Sequence, residues 1–245
     1  APVPAPAPVP PAPAPPGPAA PVSSVPTAPA PYTPDAPFAL DGSWLDVPAA
    51  YDATHRTPTT LLVWMHGCGG EAAGDVYTVS PPTDGRYIAV AVGGREGTCW
   101  DPGGDQDRVL AAIAAVKTHF NINPRRVILG GYSSGGDLAY RLAFYHATQF
   151  AGVLAENTSP FRDTGSSQAA SLAAAAWRFP VVHLAHTEDA EYPIAGVRSE
   201  TDAMIAAGFP LTRIERPGAH YDGATDSDLQ TLLLPHLDDG WLAPG

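Results

Sequence analysis

Short apolar runs rich in β-branched residues alternate with segments of helical period along most of this 245-residue chain, and that alternation limits the fold more than any other feature. The runs are Trp44–Val47, Thr60–His66, Tyr87–Val92, Arg126–Gly131, Gly152–Ala155, Val181–Ala185 and Thr212–Glu215. Between them Val109, Ile113, Val116 and Phe120 recur at helical spacing, and so do Leu138, Leu142 and Tyr145. The pattern predicts an α/β domain, with an open, doubly wound, mostly parallel sheet carrying helices on both faces. Ligands of such sheets bind beyond the carboxyl ends of the strands, so chemistry is to be sought in the loops that follow them.

Ala1–Pro37 stands apart. It alternates Pro and Ala with a few Val, Ser and Thr residues, a composition that buries no core and favours extended polyproline II. It reads as a disordered spacer, or as a tail of no specific role, ahead of a folded domain at 38–245. The 13 Lys and Arg against 25 Asp and Glu leave a formal charge of −12, which repels phosphate backbones and anionic lipid. Nucleic acid is therefore not an expected partner. Apolar runs such as Leu61–Met65 and Leu229–Leu234 fall far short of the roughly 20 residues a membrane span requires, so no transmembrane segment is expected. No charged start followed by an apolar stretch opens the chain, which reads as a mature product, secreted or associated with the cell envelope. Cys68 and Cys99 fit either two buried thiols or one disulfide, and export favours the disulfide.

The sharpest local signal is Gly131-Tyr132-Ser133-Ser134-Gly135-Gly136, between a strand and a helix. This is a G-x-S-x-G frame in its proper context, where small residues flank a serine on a tight, strained turn. Only Ser133 fits, because centring the frame on Ser134 would require glycine at Tyr132. The competing reading is an ordinary Gly-Ser turn that caps a helix. A serine hydroxyl needs a general base, and His220, in the loop Pro217–Tyr221 after the last strand, lies where that base is expected. His183 and His236 read as packing or surface residues. The carboxylate that orients the histidine is expected in His186–Pro193, with Asp189 preferred and Glu188, Glu191 and Asp163 as fallbacks. The chain order Ser, Asp, His is then that of the hydrolase triad.

A tetrahedral intermediate also needs hydrogen-bond donors. The glycine-rich turn His66-Gly67-Cys68-Gly69-Gly70 follows a strand, so the oxyanion hole is assigned to the backbone N–H groups of Cys68 and Ser134. Alone, that turn would read as a plain turn beside a buried His66. A metal site at His183, His186, Glu188 and Asp189 is not expected, since His183 and His186 point to opposite faces of a strand. No cofactor is expected.

Together these motifs, with Cys99-Trp100 and Asn123-Pro124-Arg125-Arg126-Val127, resemble one group of α/β-hydrolases, the secreted poly(3-hydroxybutyrate) depolymerases and feruloyl or acetyl-xylan esterases. The likeness covers about Trp44 to Trp241 and implies the α/β-hydrolase fold with a short lid. It implies a serine, aspartate and histidine where Ser133, Asp189 and His220 stand, and a backbone donor at Cys68. Two positions depart from that group's pattern: Ser134 replaces an alanine after the nucleophile, and Thr187 replaces a glycine after the histidine that opens the acid loop. The expected activity is hydrolysis of carboxylic esters through an acyl-enzyme by a catalytic domain at 38–245, with feruloyl or acetyl esters of cell-wall polysaccharide ahead of polyesters. Trp100 is expected as an aromatic wall for the acyl group, or else as core, with Tyr132 and His66 as further substrate contacts. The competing functions are a serine peptidase of prolyl-oligopeptidase type and a catalytically silent binding protein.

Overall fold

The computed structural model describes residues 26–162 and 166–245. Residues 1–25 of the expected spacer, and Asp163, lie outside the described residues. The segment 26–37 lies on the domain: the Ala28 N–H donates to the Thr118 carbonyl at 3.1 Å, and the Tyr32 ring meets Tyr51 and Phe120 edge-on.

Eight strands form one sheet in the order β1-β2-β4-β3-β5-β6-β7-β8. They are β1 (Phe38–Leu40), β2 (Ser43–Asp46), β3 (Thr59–Met65), β4 (Tyr87–Ala91), β5 (Ile122–Tyr132), β6 (Gly152–Glu156), β7 (Val181–His186) and β8 (Leu211–Arg216). The β1/β2 and β2/β4 pairs are antiparallel and the rest are parallel. Every expected strand is present. β1 is an addition, joined to β2 through Asp41 and Gly42, both at positive φ, which is the local chemistry of a two-residue hairpin. β5 starts earlier than expected because Ile122 pairs with Thr59 before the register shifts to Leu61 opposite Val127.

Successive side chains of a strand point to opposite faces, and the core divides accordingly. From β3 and β5, Leu61, Val63, Met65, Val127 and Leu129 pack on one face, beneath Val109 and Ile113 of α2 (Gln106–His119) and Leu138 and Leu142 of α3 (Ser134–Tyr145), α1 being the short helix Ala72–Thr78. Leu62, Trp64 and Ile128 pack on the other face, beneath Leu229, Leu233 and Leu237 of the C-terminal turns. Both faces are thus covered, which is why the strands read as unbroken apolar runs. α4 (Gln168–Ala174) lies in the segment expected to form a short lid, and α5 (Ile194–Ala206) joins β7 to β8. A last helical turn, α6 (Thr225–Asp228), begins the C-terminal turns. No described helix is long and apolar enough to cross a membrane.

Candidate active site

Ser133 forms the turn between β5 and α3 with φ 54° and ψ −126°. A non-glycine residue in such a conformation costs roughly 1–3 kcal/mol, so its surroundings must hold it there. They do so by close approach. A Cβ on Gly135 would collide with the Met65 carbonyl, and one on Gly131 with the Gly135 backbone. The Ser133 N–H donates to the Glu156 carbonyl at 3.0 Å, which ties the turn to the end of β6.

His220 reaches this turn from the loop after β8. Its Nε2 lies 3.0 Å from Ser133 Oγ, and its Nδ1 lies 2.8 Å from Asp189 Oδ2. The other Asp189 oxygen accepts the N–H groups of Glu191 at 2.8 Å and Tyr192 at 2.9 Å. Burial pushes the Asp189 carboxyl up, but the bonds from His220, Tyr192 and Glu191 together hold it below its usual value. An ionised Asp189 keeps the proton on Nδ1 and turns the lone pair of Nε2 toward Ser133. The fallback acids Glu188 and Glu191 are exposed, and neither carboxyl bonds His220.

Side chains at the carboxyl ends of two strands, β5 and β6, hold the histidine backbone. The His220 carbonyl accepts the Tyr132 hydroxyl at 2.8 Å and the Asn157 amide at 2.7 Å. Asn157, at positive φ directly after β6, also accepts the His186 N–H at 2.9 Å. The rings of Tyr132 and Tyr192 lie 5.0 Å and 5.5 Å from the imidazole. The Tyr192 hydroxyl donates to Asp137 at 2.8 Å. Burial raises Asp137 to about 6, against the pull of Thr158, Ser159 and Tyr192. The sequence reading missed Asn157 and Tyr192. An asparagine directly after a strand was the only signal for the former.

A disulfide joins Cys68 to Cys99 and fastens the glycine-rich turn to the loop after β4. The Gly69 N–H donates to Thr98 and that of Gly70 to Gly67. Cys68 lines the cavity described next, and Ser134 follows Ser133 as the first residue of α3. Ser134 Oγ accepts the Trp100 N–H at 3.4 Å, giving a use for the hydroxyl that stands in place of alanine.

A cavity of about 680 Å³ opens over Ser133, bounded by Gly67–Gly70, Tyr132, Tyr192 and His220, with Tyr221 67% exposed at its edge. Of the three expected substrate contacts, only Tyr132 lines it. Trp100 is 4% exposed and gives its indole N–H to the His66 carbonyl at 2.9 Å, so it braces the turn from within the core and is no wall of the cavity. His66, 1% exposed, meets it at a tilt with ring centroids 4.9 Å apart and is likewise buried behind the turn.

His183 bonds Tyr140 at 2.8 Å on one face of β7, while His186 meets Asn157 on the other. Burial, with the charge of Arg213, lowers His183 to about 3 and keeps it neutral. Among the described residues no group of three or more His, Cys, Asp or Glu side chains is placed to hold a metal ion.

No family model matches the sequence, and no curated protein sequence matches it. Solved structures do match the fold. The Staphylococcus aureus fluorophosphonate-binding serine hydrolase F, in its substrate-bound form, superposes with a TM-score of 0.64 at 12% identity, over 83% of this chain and 97% of that one. A ferulic acid esterase superposes with a TM-score of 0.59 at 17% identity, over 78% and 89% of the two chains. The fold is that of the α/β-hydrolases. The Porphyromonas gingivalis dipeptidyl peptidase 4 carries the same fold, with a TM-score of 0.59 at 16% identity over 80% of this chain. The chain spans only 33% of that peptidase's length. In this fold the turn with Ser133 and the loops with Asp189 and His220 all follow the carboxyl ends of parallel strands.

Proposed function

We propose that this chain is a secreted serine carboxylesterase that cleaves carboxylic esters through an acyl-enzyme. The observation that carries the reading is the run of two hydrogen bonds, 3.0 Å and 2.8 Å long, from Ser133 through His220 to Asp189. Ser133 Oγ attacks the ester carbonyl while His220 Nε2 takes its proton, and Asp189 stabilises the imidazolium that forms. The carbonyl oxygen, now an anion, accepts the N–H groups of Cys68 and Ser134. His220 returns the proton to the leaving alcohol, and a water activated by the same histidine then releases the acid from Ser133. Tyr132 lines the acyl site.

Feruloyl or acetyl esters of plant cell-wall polysaccharide are the preferred substrates. The resemblance of the motifs to that group of esterases supports them, and so does the fold shared with a ferulic acid esterase. Export is supported by the Cys68–Cys99 disulfide. The exposed Tyr221 at the cavity edge favours, as a second reading, a polyester chain lying across the surface. The test is a panel of p-nitrophenyl acyl esters, methyl ferulate, acetylated xylan and a polyhydroxybutyrate film, with Ser133→Ala alongside. Cleavage by the wild type alone establishes the esterase, and the preferred member of the panel names the substrate. A folded wild type that cleaves none of them rejects the reading.

A further inference from the structure

The cavity over Ser133 is chemically lopsided. Its lining includes an acidic group, Asp75, Glu156 and Asp226, whose charges act on one another beside Trp64, and a second group in mutual contact, Arg162, Glu191 and Tyr192. Among its described lining residues Arg162 is the only arginine or lysine, and its guanidinium lies 4.4 Å over the Tyr192 ring, where it donates to the Glu191 carbonyl at 2.8 Å. The acidic end therefore lines the cavity with three carboxyls and, among the described residues, no lining arginine or lysine but Arg162.

Glu156 distinguishes this end from an ordinary acidic rim. It is the last residue of β6 and is 1% exposed, and its Oε1 has no hydrogen-bond partner. A buried carboxyl oxygen without a donor costs free energy that a merely structural residue would have no reason to bear. The carboxyls of Asp226, Asp228 and Asp75 all act on it, and they are like charges. Burial, reinforced by that repulsion, pushes Glu156 well above its usual range, and burial also raises Asp75 despite its bond from the Trp64 indole N–H at 2.9 Å. His66, behind the turn, acts favourably on Asp75, while Asp228 already has Arg216 at 3.3 Å. Glu156 and Asp226 line the cavity, and among the described residues neither carboxyl is paired with an arginine or lysine.

We propose that this acidic end is a subsite for a primary ammonium group, so that the enzyme also hydrolyses esters carrying one at the far end of the acyl or alcohol chain. An ammonium supplies both things the site lacks, a donor for Glu156 Oε1 and a positive charge among three carboxyls. The formal charge of −12 on the chain draws such substrates in. The proposal rests on the serine-hydrolase reading of Ser133 and is independent of the choice among cell-wall esters.

The test compares matched pairs that differ by an ammonium in place of a methyl group: p-nitrophenyl ε-aminohexanoate against p-nitrophenyl heptanoate on the acyl side, and aminohexyl butyrate against heptyl butyrate on the alcohol side. At least one pair is expected to show kcat/KM about tenfold higher for the ammonium ester, a preference that shrinks in high salt. Glu156→Gln and Asp226→Asn should each bring that ratio toward one. Asp226 is exposed, so its variant carries the test if the buried substitution fails to fold. Binding of hexylamine and hexan-1-ol to Ser133→Ala, measured by calorimetry, reads the subsite without turnover. Saturable binding of the amine that weakens in Asp226→Asn supports the subsite even where no ester is cleaved, an outcome that would reject only the esterase reading. Equal kcat/KM within both pairs, or amine binding no tighter than that of the alcohol, overturns the subsite while leaving the esterase intact.

Discussion

Around Ser133 glycines let backbones touch, whereas around His220 the backbone is held by polar side chains reaching in from the ends of other strands. The Ser133 turn has no room to adjust, since Gly131 and Gly135 lie against neighbouring backbone where a methyl group would collide. The histidine loop is held by separable bonds from Tyr132, Asn157 and Asp189. The difference teaches that one half of the site is built by packing, which fails all at once, and the other by hydrogen bonds, which can be removed singly. The geometry of the Ser133 turn should therefore be tied to global stability, and that of His220 to rate.

The largest effect expected from the bonded half comes from Asp189→Asn, which keeps the shape of the loop but reverses the preferred imidazole tautomer. Its kcat on p-nitrophenyl butyrate should fall by about 10⁴-fold in a protein that melts near the wild-type temperature. Because Asp189 lies below its usual value when folded, it adds stability above about pH 4, and that share is lost as pH falls through the lower folded value. The acid limb of a stability-against-pH curve should accordingly flatten in Asp189→Asn. An unaltered limb would detach the carboxyl from the histidine.

Gly135→Ala tests the packed half. Overpacking of this kind costs roughly 1–3 kcal/mol or more, so thermal melting should drop by several degrees and activity should vanish with the turn. A variant that melts normally and keeps its rate would mean the turn is softer than its contacts imply. Asn157→Ala should be milder, removing one of the two donors to the His220 carbonyl at roughly 1–3 kcal/mol. It should appear as about a tenfold loss in kcat with KM little changed. A loss of stability without loss of rate would place Asn157 with the packing. Smallest of all is Arg198→Ala, which breaks an exposed ion pair to Glu215 at 2.5 Å. Thermal melting should show a change under about 1 kcal/mol and steady-state assays no change in rate.

The same division explains what could be read in the chain. Strands such as those expected at Tyr87–Val92 and Gly152–Ala155 were legible because burial on both faces leaves an unbroken apolar run. Ser133 was legible because a close-packed turn demands glycine at fixed offsets, a local signal. β1 escaped because only three residues separate the Pro-rich segment from Asp41–Gly42. Asn157 and Tyr192 escaped because their roles exist only where distant loops converge, 63 residues apart for the bond from Asn157 to His220. Of the two readings of Trp100, wall of the cavity or core, the core one holds. Its position beside Cys99 put it near the site, but its indole N–H is engaged by a carbonyl inside the fold.

The measurement that bears most directly on the Ser133–His220–Asp189 assembly is covalent labelling with an alkyl fluorophosphonate, followed by intact-mass and peptide mass spectrometry. One adduct per chain on Ser133, formed quickly by the wild type and at least about a hundredfold more slowly by His220→Ala, is the expected result. No adduct, or an adduct on another residue with Ser133 unmodified, would contradict the assignment of Ser133 as the activated nucleophile.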